Sequence, residues 1–295
     1  MLVCLKQPIS GRNKNGTKQN GINFENLRIM NTSTAPAVLE GKTALITGAS
    51  SGLGFAMAKA LAANGASVLI TARSEDKLKE AVQQLQQYGD VQGTPMDVRD
   101  EDSINKVLGW VKAQWGKLDI LINNAGIGMR TVNLNFLTDP KPFYEVSAEG
   151  FRNLIDTNLT GYFLVAKAFA PLLVAQGKGK IVNISMNHET MKRKGFIPYG
   201  PSRAGAESLS YIMAEDLKEN NIDVNMLLPG GATETGMIPE GLLETLKDNS
   251  FLLSPDVMAE PIVFLASDES NGITGERIVA TDFAAWKQTM QTQKN

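Results

Sequence analysis

The chain has 295 residues, 43% hydrophobic and 20% charged, with a net charge of −2. That is an ordinary globular composition: it excludes a polycationic nucleic-acid binder, and no uninterrupted apolar run reaches the ~18–20 residues of a membrane span. A single cysteine, Cys4, rules out an internal disulfide and fits a reducing, cytoplasmic setting, and with one histidine, His188, a His/Cys metal site has too few ligands.

Residues 1–40 are rich in Asn, Gly, Lys and Thr and lack sustained periodicity, so they read as a disordered N-terminal extension or a leader upstream of a start at Met30. The scarcity of arginine and of an amphipathic stripe argues against a transit peptide. Regular patterning begins at residue 41 and continues to 295 with no internal repeat or linker, which predicts one domain.

The alternation is clear from the start of that domain. Thr43–Thr47 is a short apolar strand, and after a glycine-rich break a helix runs from Phe55 to the Asn64-Gly65 stop signal. Ser67–Thr71 is a second strand, Ser74–Tyr88 a helix with Leu78, Val82 and Leu85 at helical spacing, Val91–Met96 a strand, Glu101–Trp115 a helix, and Leu118–Ile122 a fourth strand. Phe151–Gln176 forms one or two helices, followed by a strand at Lys180–Ser185, a helix at Ser202–Asn220 and a strand at Asp223–Leu228. A helix at Pro255–Ser267 and a strand at Glu276–Ala280 complete the set. Strands alternating with helices predict an α/β fold: a doubly wound parallel sheet of about seven strands with helices on both faces.

The break after the first strand reads Gly48-Ala-Ser-Ser-Gly52-Leu-Gly54. Between a strand and a helix, such a loop permits a tight turn and lets backbone approach a pyrophosphate, which the helix N-terminus attracts. The second strand ends at Arg73, with a cation where an NAD site usually has an acid. A guanidinium there suits a 2′-phosphate, so NADP(H) is expected over NAD(H).

Tyr199 and Arg203 stand four residues apart, one turn apart on a helix face. A fixed cation beside a phenol favours the phenolate, which suits a group that exchanges a proton with a substrate oxygen near neutral pH. By itself such a pair is far more often an ordinary surface contact.

Five features in register resemble the short-chain dehydrogenase/reductase family, over residues 41–280. They are Thr47-Gly48-x3-Gly52-x-Gly54, Asp97-Val98, Asn123-Asn124-Ala125-Gly126, Asn158 in Asp156-Thr-Asn-Leu-Thr-Gly161, and Tyr199-x3-Arg203 followed by Pro229-Gly230. The resemblance implies a single Rossmann domain and hydride transfer at a nicotinamide, coupled to proton transfer by Tyr199, which interconverts a small-molecule carbonyl and an alcohol. It implies cofactor contacts from the glycine loop, including Ser50, Ser51 and Leu53, from Asp97 and Val98 at the adenine, and from Asn124, Ala125 and Gly126. It places Pro229 and Gly230 against the nicotinamide and Thr233 or Thr235 at its carboxamide. Asn158 would kink its helix and hold a relay water. Members are often tetramers or dimers built on the helices spanning about 157–177 and 202–219 here.

Two positions depart from the family. Arg203 replaces the usual lysine; it can hold ribose hydroxyls but cannot release a proton. The serine that polarises the substrate carbonyl usually stands thirteen residues before the tyrosine, where this chain has Met186, with Ser185 one place earlier. Either a one-residue loop difference restores Ser185, the favoured reading, or a methionine occupies the site. His188 and the basic triplet Lys192-Arg193-Lys194 lie in the same loop and read as a solvated face, while Gly128–Phe143 and Met237–Phe251, with Ile238, Leu242 and Leu243, are expected to cover the substrate. The alternative to an enzyme is a catalytically weakened NADP(H)-binding sensor or oligomeric partner.

Overall fold

The computed structural model describes residues 37–238 and 252–293. Most of the N-terminal extension and the Leu242–Phe251 part of the expected cover lie outside them. Seven strands, all parallel, form one sheet: β1 (Thr43–Thr47), β2 (Ser67–Ala72), β3 (Val91–Pro95), β4 (Ile120–Asn123), β5 (Gly179–Ile184), β6 (Ile222–Leu228) and β7 (Arg277–Val279). Their order is β3-β2-β1-β4-β5-β6-β7. The chain reverses its winding between β1 and β4, so the crevice for a ligand opens above their C-terminal ends.

The helices follow the strands: α1 (Gly52–Ala63), α2 (Glu75–Leu85), α3 (Glu101–Gln114), α4 (Ala148–Ile155), α5 (Gly161–Gln176), α6 (His188–Met191), α7 (Tyr199–Leu217), α8 (Ala259–Ala266) and α9 (Phe283–Gln293). They cover both sheet faces. On one, Ile46, Met57, Leu61, Ile70, Ile122, Ile262 and Phe283 form the core; on the other, Leu45, Leu69, Val107, Leu121, Val165, Phe169 and Ile181 do. Parallel strands covered on both sides are apolar throughout, which is why β1, β4 and β6 are buried at every residue.

Three features differ from the sequence reading. The helix expected from Ser202 starts at Tyr199, so tyrosine and arginine share its first turns. The short α6 and the C-terminal α9 were not expected; Phe283, Trp286 and Met290, at helical spacing, pack on the core and are the signal that α9 left in the sequence. Helical backbone is also continuous from Ala148 to Gln176, long and apolar enough by composition to span a bilayer. Its apolar side is spent inside the fold, since Leu154, Tyr162, Val165, Phe169 and Leu173 are buried.

Candidate active site

The glycine loop is held against the end of β4 by side chains that sequence spacing alone does not connect. The Thr47 hydroxyl accepts from the backbone N–H groups of Asn124 and Ala125, both at 3.0 Å, and the Asn124 amide donates to the carbonyls of Thr47 and Gly48, both at 2.9 Å. The loop is thereby drawn so close that a Cβ on Gly48 would lie 2.6 Å from the Ala125 Cα, at a φ of +64° that already favours glycine. A Cβ on Gly54 would lie 2.8 Å from both the Ala49 Cα and the Gly48 carbonyl oxygen, so helix α1 leaves the sheet at the closest possible approach. Ser51 caps α1 without a side-chain hydrogen bond, which leaves the first-turn N–H groups, among them those of Gly52, Leu53 and Gly54, to an outside acceptor. This backbone cradle with a positive dipole end fits the pyrophosphate of a dinucleotide. Ser50 is half-buried and Ser51 exposed beside it; Leu53 packs on the core.

Arg73 is exposed directly after β2. The Asp97 carboxylate is gripped by Arg99, with Nη2 at 2.6 Å and Nε at 3.0 Å, and Arg99 also donates to Asn153 at 2.8 Å. Arg99 holds the Asp97 carboxyl below the ordinary carboxylate value, with a small further contribution from Arg73. Val98 is buried against Gly161, whose Cβ would lie 2.7 Å from the valine's Cγ2.

Next to Val98, the backbone between α4 and α5 takes a π-helical turn over Asp156–Thr160, and the Gly161 N–H bonds to the Asp156 carbonyl five residues back. Such turns are rare and concentrate at functional sites. The turn carries Asn158 inward, where its amide donates to the Ile127 carbonyl at 2.9 Å and accepts from the Ile127 N–H at 2.8 Å. Asn158 therefore fixes the irregular backbone that follows β4 at Ile127.

Tyr199 and Arg203 come together beside that segment. The Arg203 guanidinium centre lies 5.4 Å from the Tyr199 ring and 5.5 Å from the Tyr162 ring. Arg203 is 3% exposed, and its Nη1 donates to the Tyr162 hydroxyl at 2.7 Å and to the Ile184 carbonyl at 2.9 Å. A Cβ on Gly126 would come within 2.6 Å of Nη2, so any side chain there would press on the guanidinium. Burial acts to pull the arginine's pKa down, but the two phenols outweigh it and hold it above the ordinary value. The Tyr199 ring packs on Met129, Phe136, Leu154 and Phe196, and its hydroxyl donates to the Met237 sulfur at 3.7 Å.

Ser185, favoured from the sequence as the carbonyl-polarising group, is engaged elsewhere. Its hydroxyl donates to the Glu207 carboxylate at 2.5 Å, and no hydrogen bond joins it to Tyr199. Glu207 is buried on α7 and also receives Arg277 Nε at 2.8 Å, while His188 Nε2 lies 3.2 Å from its second oxygen. Arg277 Nη2 donates to the Met186 carbonyl at 2.7 Å, which ties down the backbone at the position where the family keeps its serine. The physical reason is the buried carboxylate: two acceptor oxygens inside the fold need donors, and Ser185, at the end of β5, is the nearest hydroxyl. Sequence reasoning missed Glu207, Arg277 and Tyr162. Glu207 does stand four residues beyond Arg203 on the same helix, and Tyr162 four beyond Asn158.

The segment after β6 covers this end. Pro229 is buried, and Gly230 has a φ of +98° with the Thr281 hydroxyl 2.1 Å from where a Cβ would stand. Thr233 is buried and donates to the Gly231 carbonyl, whereas the Thr235 methyl lies 3.2 Å from a Cβ built on Gly52, so Thr235 overhangs the glycine loop. Arg130 donates to the Gly236 carbonyl at 3.0 Å, beside Met237. Lys192, Arg193 and Lys194 are exposed, as a solvated face would be.

The chain resembles known proteins over most of its length. Residues 42–241 match the family model described as short chain dehydrogenase. The chain is 32% identical over 257 residues to a 3alpha-hydroxysteroid dehydrogenase of Mediterraneibacter gnavus, covering 84% of this chain and 98% of that protein. It is 34% identical to the 3-oxoacyl-acyl-carrier-protein reductase FabG of Thermotoga maritima, covering 81% of this chain and 96% of that one. Among solved structures, a short-chain type dehydrogenase/reductase from Mycobacterium marinum superposes with a TM-score of 0.73 at 29% identity, covering 84% and 97% of the two chains. A variant of actinorhodin polyketide ketoreductase solved with NADPH superposes with a TM-score of 0.71 at 25% identity, covering 81% and 95%. On the extent of these matches, the chain belongs to the short-chain dehydrogenase/reductase family of oxidoreductases.

Proposed function

We propose that the chain is an NADP(H)-dependent oxidoreductase that interconverts a small-molecule carbonyl and an alcohol, with Tyr199 as the acid/base. The observation that carries this reading is the Tyr199 phenol facing Met237 with a buried guanidinium beside its ring. The cofactor, when bound, supplies the hydride or accepts it. Its pyrophosphate rests on Gly48, Ser50, Ser51, Gly52, Leu53 and Gly54; Asp97 and Val98 border the adenine; Asn124, Ala125 and Gly126 line the ribose; Pro229, Gly230 and Thr233 border the nicotinamide. Tyr199 donates its proton to the substrate oxygen during reduction and takes one back during oxidation. Arg203 anchors the ribose and favours the charged phenolate electrostatically. Asn158, through its π-helical turn, orders the water that returns the proton. The FabG relatives and the ketoreductase support a keto substrate.

Arg73 is assigned to the 2′-phosphate. Replacing it with alanine is expected to raise the KM for NADPH about tenfold or more while leaving that for NADH within about twofold, consistent with loss of a charge-assisted pair of ~1.5–3 kcal/mol. Steady-state kinetics with both cofactors check it, and an unchanged ratio removes the assignment.

A second reading, a weakened cofactor-binding protein, draws on one observation: the Ser185 hydroxyl is committed to Glu207 and Met186 stands in the serine's usual place. If a missing donor limits turnover, Met186→Ser is expected to raise kcat, by up to about a hundredfold from the worth of one oxyanion donor. Progress curves at saturating NADPH read this directly; a loss of rate would show that Met186 is not the limiting position.

Exposed Phe163 and Val174 on α5 and Tyr211 and Ile212 on α7 support a homodimer or tetramer built on those helices. The cytoplasm is the proposed setting.

A further inference from the structure

Arg203 is a buried cation without a carboxylate partner among the described residues. A guanidinium in that position needs acceptors that orient it, and a buried carboxylate would both orient it and cancel its charge. The structure supplies neutral oxygens instead. The Tyr162 hydroxyl has one proton and two lone pairs. Its proton goes to the Ile184 carbonyl at 3.2 Å, and a lone pair accepts from Arg203 Nη1 at 2.7 Å. Nη1 closes the triangle by donating to the same Ile184 carbonyl at 2.9 Å. Burial holds the Tyr162 phenol above its ordinary value, so it stays neutral as this arrangement requires. The other arm, Nη2, lies against Gly126 on the Tyr199 side, while the Nε–H is buried with no hydrogen-bond partner among the described residues.

We propose that Tyr162 is the positioning residue that allows an arginine to serve at position 203: its oxygen takes the Nη1 arm and leaves Nη2 beside Gly126 for the cofactor's ribose and the Tyr199 side of the site. The inference rests on the functional reading above. A lysine has no second arm to place, so Tyr162 has this role only when residue 203 is arginine. Its ring, 1% exposed, fills the core with or without the hydroxyl.

The test is a double-mutant cycle on the full chain with Tyr162→Phe, Arg203→Lys and the pair, reading the NADPH Kd by nicotinamide fluorescence, kcat and KM with a reducible ketone, and Tm. Tyr162→Phe alone is expected to raise the NADPH Kd about tenfold and to lower kcat. In the R203K background the same change is expected to alter both by less than about twofold. Equal fold-changes in the two backgrounds with a parallel fall in Tm, or no change in Kd from Y162F alone, would overturn the inference. If Y162F does not fold, the double variant decides: it should fold as R203K does, and its failure would mean that the hydroxyl serves the core and not Arg203. A wild-type chain that binds NADPH but reduces nothing defeats the enzyme reading alone, because the Kd arms still report. A wild-type chain that binds neither NADPH nor NADH defeats both.

Discussion

Tyr199→Phe is expected to lower turnover of any accepted carbonyl by about 10²–10⁴-fold while leaving the NADPH Kd within about threefold, the range that general acid–base catalysis supplies. The size of the effect follows from the lack of a substitute. The Ser185 hydroxyl is committed to Glu207, His188 Nε2 faces the same carboxylate, and Arg203 cannot release a proton at any accessible pH. Phenylalanine keeps the ring contacts with Met129, Phe136, Leu154 and Phe196, so the fold is preserved and the loss reports the hydroxyl. Pre-steady-state measurement of NADPH oxidation separates this from a binding defect. A variant that keeps more than about a tenth of the wild-type rate would remove Tyr199 from the acid/base role.

Glu207→Ala is expected to be the most destabilising single change near the site, costing about 3–5 kcal/mol, as breaking a buried pair does. Glu207 is 6% exposed, and its removal strands Arg277 and Ser185 together inside the fold. At roughly 2 °C per kcal/mol for a chain of this size, Tm should fall by at least about 6 °C. Glu207→Gln keeps an acceptor and should lose less. Because Arg277 also holds the Met186 carbonyl, the alanine variant is expected to loosen the Met186 backbone as well, visible as faster amide exchange there. A loss below about 1 kcal/mol would mean that the cluster is effectively solvated.

The sheet, the glycine loop and the Tyr199–Arg203 pair were legible because each is a local pattern: apolar strands between amphipathic helices, glycines at a turn, two side chains one helical turn apart. What could not be read were the partnerships that join distant segments. Glu207 and Arg277 are 70 residues apart in the chain. Nothing in the local pattern around Ser185 says that its hydroxyl turns toward a carboxylate on α7. The sense of a side chain at a strand end depends on what the next layer offers it, and that layer arrives only with the tertiary fold. Tyr162 lies between these cases. Its helical spacing from Asn158 was visible, but its bond to Arg203 depends on the π-helical turn, which no composition signal marks. The C-terminal α9 was overlooked because Gln and Thr dilute its apolar stripe, although Phe283 and Trp286 stack on each other and meet Phe264 at steeper angles.

The central claim is tested most directly by incubating the wild-type chain with NADPH deuterated at the nicotinamide C4 and a panel of ketones and aldehydes, then reading the alcohols by mass spectrometry. The account predicts at least one alcohol carrying a single deuterium on its carbinol carbon, formed in step with NADPH consumption and at least about a hundredfold slower in Y199F. Tight NADPH binding with no labelled alcohol from any member of the panel would contradict it.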